Sequence, residues 1–135
     1  MPWAGAGTGK GNDMSELDPA ALENLRGVGA EGIKLLAELI TMFLEDSASL
    51  LAQMRQGIEQ ENADMLHQAA HIMGASSAMF GAKPLSSLCR ELEAMGATGS
   101  MDGGAAKMSQ VDAEYAQVET ALQAVRHAEL NRDTD

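Results

Sequence analysis

The residues of this chain best suited to nucleophilic, acid–base or metal chemistry are three histidines and one cysteine, Cys89. His67 and His71 stand four apart, a spacing that puts two side chains on one face of a helix. Such a pair suggests either two metal ligands or a single working imidazole with a neighbour. A zinc site needs further ligands. His127 lies near the far end of the chain, and the carboxylates form no cluster with the pair. Gln68 stands where a helical zinc hydrolase has glutamate. No metal ligand set is expected. Cys89 lies among Leu85, Leu88 and Leu92 and reads as a small packed hydrophobe. Gly9-Lys10 hints at a phosphate loop, but Ala4 occupies the place of its first glycine, and Gly11 follows the lysine where Ser or Thr is required. The chemistry therefore rests on His71. A neutral imidazole, with an ordinary pKa of about 6.5, is a good nucleophile near neutral pH.

The elements that hold these residues are read from periodicity. Asp18-Pro19 is an N-cap followed by proline, which opens a short helix to about Leu25. Gly27 and Gly29 end it. A long helix from about 31 to 60 carries Leu36, Leu39, Ile40, Phe43, Leu50, Leu51, Met54 and Ile58 at three-and-four spacing. Asn62 caps the next helix, which runs to about Phe80 and stops at Gly81. Pro84 opens a fourth, closed by Gly96 and Gly99. The last carries Met108, Val111, Tyr115, Val118, Leu122 and Val125. Four substantial helices, each with one apolar stripe and short connections, predict an all-α fold: an antiparallel four-helix bundle with a short additional N-terminal helix. The expected organisation is a Gly-rich disordered tail over residues 1–17, the bundle over 18–128, and a polar C-terminal tail over 129–135.

At about 100° per residue, Leu66, Ala69, Ala70, Met73, Ser77 and Phe80 form the buried stripe of the third helix. His71 falls about 140° from Leu66, on the far side. His67, Gly74, Ala75 and Ala78 share that outer half. A solvated helix face usually carries Glu, Lys or Gln, and Gly74 costs about 1 kcal/mol relative to alanine. A bare face at that cost points to a flat docking surface around the ring. Ile72 and Met79 lie at its margin and offer apolar area, with methionine suited to adaptable contacts.

Composition narrows the partner. The 135 residues suit one domain, and a formal net charge of −11 disfavours nucleic acid and anionic membrane surfaces. No apolar run is long enough to span a membrane, and the N-terminus lacks the pattern of a secretory signal. The expectation is a cytoplasmic monomer that docks on another protein.

The chain resembles the histidine phosphotransfer (HPt) domains of two-component phosphorelays. That family's pattern, Ala-His-x-Leu-Lys-Gly-Ser-Ser, then Gly-Ala, then Leu-x-x-Leu-Cys-x-x-Leu-Glu, is met in register by Ala70-His71, Met73, Ser76-Ser77, Gly81-Ala82, Leu85, Leu88-Cys89 and Leu92-Glu93. Phe43-Leu44-Glu45-Asp46 is similar to the family's preceding helix. The resemblance spans about residues 18–128. It implies that His71 accepts a phosphoryl group from a receiver-domain aspartate and passes it to another receiver. The chain would then be a phosphoryl carrier rather than an enzyme with its own active site. It implies a receiver domain or a hybrid histidine kinase as partner. No cofactor of the chain's own is implied, because magnesium resides on the receiver. His67, Gln68, Ile72, Gly74, Ala75, Ser76, Ala78 and Met79 would form the docking face, with Lys83 and Arg90 as further candidates for polar or phosphate contact. Two positions depart from the pattern: Gly74 replaces the family's lysine, and Ala75 its glycine. The lost lysine leaves a second reading open, a degenerate adaptor that binds a receiver or kinase without carrying phosphate.

Overall fold

The computed structural model describes residues 17–26 and 30–132. The Gly-rich segment read as a tail lies outside the described residues, except for Leu17, which packs against the core. Five helices are described: α1 (Pro19–Arg26), α2 (Ala30–Glu59), α3 (Ala63–Met79), α4 (Lys83–Thr98) and α5 (Gly104–Arg132). No strand occurs among these residues. Helix α2 packs on α3 and α5, and α4 packs on the same two, so the four long helices close a square. Short connections make sequential neighbours antiparallel.

Each boundary has a local cause. Asn62 adopts an extended backbone, and its side chain accepts the Met65 N–H at 3.1 Å, capping α3. Helix α3 ends where Gly81 takes φ +75°, a left-handed conformation that glycine adopts without cost. Proline in the first turn starts α4, and Gly99 closes it at φ +81°. Asp18 caps α1 by accepting the Ala20 N–H at 3.0 Å and pairs with Lys83 at 3.3 Å, which fastens α1 over the α3–α4 turn. The backbone donor, and then Lys83, hold the Asp18 carboxyl below its ordinary pKa.

The core contains Leu36, Ile40, Met54, Leu66, Met73, Leu85, Leu92, Val111, Val118 and Leu122, all fully buried. Phe43 packs on Phe80 and Tyr115, with ring centroids 5.2 and 6.3 Å apart, and so ties α2 to α5 and to the end of α3. Helix α5 runs on to Arg132 and takes in residues 129–132, which were expected to be a polar tail. Glutamate, leucine and arginine favour continued helix there, and Glu129 is buried.

Burial also pushes the Cys89 thiol up to about 12, which leaves almost no thiolate near neutral pH. Iodoacetamide should therefore leave the native protein unmodified over hours and alkylate it rapidly in guanidinium. Intact mass distinguishes the two states.

Candidate functional site

Helix α3 presents His71 from its middle, with the side chain 65% exposed. Its buried stripe, Leu66, Ala69, Ala70, Met73 and Ser77, is the one the periodicity predicts. The Ser77 hydroxyl donates to the Met73 carbonyl at 2.7 Å and so is satisfied inside its own helix.

The ring has a partner that the stripe does not reveal. His71 Nδ1 lies 2.8 Å from Glu93 Oε2 on α4. An ionised carboxylate only accepts hydrogen bonds. Nδ1 therefore carries the proton and donates it, and the lone pair is left on Nε2. The carboxylate thus selects the tautomer and the ring orientation. Glu93 is itself held in place. Its backbone carbonyl accepts a hydrogen bond from His67 Nδ1 at 3.1 Å. His67 fixes the α4 backbone, Glu93 reaches from that point, and His71 is aimed. His67, Gln68, His71, Ile72 and Glu93 together line an open hollow of about 320 Å³.

Such contacts need close helices. A Cβ on Gly96 would stand 2.7 Å from His67 N and 2.8 Å from the Ala63 carbonyl oxygen. Only glycine lets α4 approach α3 this closely at the level of His67.

The expected docking residues divide. Gln68, Ile72, Ala75, Ala78 and Met79 are exposed, and Ser76 is half-buried. Ile72, Ser76 and Met79 border a groove of about 130 Å³ shared with Leu39, Met42, Phe43, Asp46 and Leu50 of α2. Met42, 56% exposed, continues their apolar surface onto a second helix. His67 is half-buried and turned toward α4. Gly74 corrects the sequence reading, because it is buried on the α4 side instead of lying on the open face. Its carbonyl accepts the Ser86 hydroxyl at 2.9 Å, and a Cβ there would stand 3.4 Å from Cys89 Cβ. Helix α3 packs against two neighbours, so its buried arc is wider than the single stripe, and glycine serves that second contact.

Among the described residues, no group of three or more His, Cys, Asp or Glu side chains is placed to hold a metal ion. No described helix is long and apolar enough to cross a membrane.

A family model, the Hpt domain, matches residues 38–128, which include both α3 and α4. The chain belongs to the Hpt domain family. The crystal structure of histidine-containing phosphotransfer protein B (HptB) from Pseudomonas aeruginosa PAO1 is similar to it at a TM-score of 0.76 and 26% identity, covering 83% of this chain and 95% of that one. Comparison with curated proteins finds no match. As in the Hpt pattern, an exposed histidine, His71, lies on one helix of a bundle. Sequence reasoning counted Glu93 only as part of the motif. Its role was accessible from the tight turn: His71 lies ten residues before Gly81 and Glu93 twelve after, so an antiparallel pair brings them level.

Proposed function

We propose that this Hpt domain is an active phosphorelay intermediate, with His71 accepting a phosphoryl group from a receiver-domain aspartate and returning it to another receiver. The observation that carries this reading is the Glu93–His71 hydrogen bond on an exposed ring. A scaffold that only binds a partner has no need to select a tautomer. With Nδ1 engaged, Nε2 attacks phosphorus in line while the aspartate carboxylate leaves. Nδ1 keeps its proton, and Glu93 balances the positive charge the ring gains. Phosphoryl transfer depends mainly on positioning and charge neutralisation. This chain positions the imidazole, and the receiver brings the magnesium ion. Ile72 and Met79, extended by Met42, provide the apolar contact on which a receiver seats. The setting is the cytoplasm, where receivers and kinases act.

Incubation with a phosphorylated receiver should transfer an acid-labile, alkali-stable phosphoryl group to this chain. A receiver that binds but never transfers its label would instead establish the adaptor reading. Replacing Glu93 by alanine should slow acceptance roughly tenfold to a hundredfold, because the ring then samples both tautomers and many orientations. Circular dichroism should be unchanged. Equal rates for Glu93→Ala and wild type would show that the carboxylate does not orient the nucleophile.

A further inference from the structure

The phosphorylated site has a charge problem. A phosphoryl group carrying up to two negative charges comes to rest beside the Glu93 carboxylate, on a chain of formal net charge −11. A cation of this chain close to His71 would offset that charge. Among the described side chains, Lys83 is paired with Asp18, Lys107 with Glu91, and Arg55 with Asp112. Arg126 bonds Thr41 on the opposite pair of helices.

Arg90 is placed differently. It lies one turn before Glu93 on α4, facing Gly74, which lies one turn after His71 on α3. The absent side chain of Gly74 leaves room for the arginine stem, whose Cγ stands 3.8 Å from where a Cβ would be. The side chain is exposed, and its Nε donates a long hydrogen bond of 3.4 Å to Ser86 Oγ. Ser86 is buried and anchored to the Gly74 carbonyl, so it is a fixed resting point on the α3–α4 seam. A bond of that length is weak, and exposed side chains change rotamer in picoseconds to nanoseconds.

We propose that Arg90 is the phosphoryl-binding cation of this site: it rests on Ser86 while His71 is free and swings one turn along the seam to the phosphoryl oxygens during transfer. The proposal rests on the relay reading. As the N–P bond forms at Nε2, the O–P bond to the donor carboxylate breaks and its electron pair leaves with that carboxylate. Arg90 gives and takes no proton. Its planar guanidinium offers two parallel donors to phosphate oxygens.

The test uses potassium phosphoramidate as a small phosphoryl donor, so no receiver interface is involved. Its P–N bond breaks, ammonia leaves, and the N–P bond to His71 forms. Labelling is followed by intact mass on the wild type, Arg90→Gln, Arg90→Lys, His71→Gln, and the double variant Gly74→Lys with Arg90→Gln. Arg90→Gln should slow His71-dependent labelling roughly tenfold. Arg90→Lys should keep most of the rate. The double variant should regain it, because the lysine returns a cation to the same seam. Labelling of Arg90→Gln at the wild-type rate would overturn the proposal and leave the relay intact. A slowed Arg90→Gln that neither cation rescues would also overturn it, by assigning Arg90 a structural part. A wild type that takes no His71-dependent label would remove the relay reading, and this proposal with it.

Discussion

Replacing His71 by glutamine is expected to abolish phosphoryl acceptance while leaving the fold intact. The ring is 65% exposed and fills no part of the core. Its one hydrogen bond, to Glu93, joins partly exposed groups, and an exposed contact of this kind contributes about 1 kcal/mol or less. Thermal unfolding should therefore move by no more than a few degrees. Glutamine keeps a donor that can reach Glu93 but has no lone pair able to attack phosphorus. The expected result is zero label at an unchanged helix signal. Residual label in this variant would have to sit on His67 or His127. The structure disfavours both: His67 is half-buried and engaged with α4, and His127 lies on α5 with Nε2 2.9 Å from the Asn131 amide.

A large stability effect is expected at Gly96. A methyl group there meets the backbone of α3 at 2.7 to 2.8 Å, and backbone cannot turn aside as a flexible side chain can. The helices must part, and the contacts of Leu66 and Leu92 with them. A loss of about 3 kcal/mol is expected for Gly96→Ala, equivalent to roughly 10 °C in Tm for a domain of this size. Function should suffer as well, because separation at this level breaks the His67 bond that locates Glu93. Gly104 is the control. The same methyl there meets only the Ile58 side chain, at 3.4 Å or more, so Gly104→Ala should unfold within a few degrees of wild type. Chemical denaturation of both variants measures the difference. A Gly96→Ala protein as stable as the control would mean that the α3–α4 spacing is looser than described.

The fold was legible because its signals are local. Asn62, Gly81 and Pro84 each act within a few residues of their own position, and the boundaries they predict are observed within a residue or so, whereas Gly96 lies inside α4 and α5 runs four residues past its expected end. His71 was legible for the same reason, since the phase of one helix decides which side chains face outward. Information about neighbouring helices was harder to extract. Gly74 was read as part of a bare docking face because one stripe was assigned to α3, whereas in a closed square every long helix buries two arcs. Glu93 and Met42 come from other helices, and only the pairing of α3 with α4 and with α2 brings Glu93 to His71 and Met42 to Ile72. The departure at Gly74 also changes meaning. It first read as a missing charge, but in the structure Gly74 is buried against α4 with the Arg90 stem beside it.

Glu93 engages Nδ1, so phosphate is expected on Nε2 of His71. Uniform ¹⁵N labelling followed by phosphorylation allows ³¹P–¹⁵N coupling to be read in the intact protein. One phosphorus resonance coupled to Nε2 of His71, with Nδ1 still protonated, is the predicted result. Coupling to Nδ1, or to a different histidine, would show that Glu93 does not set the nitrogen that carries phosphate.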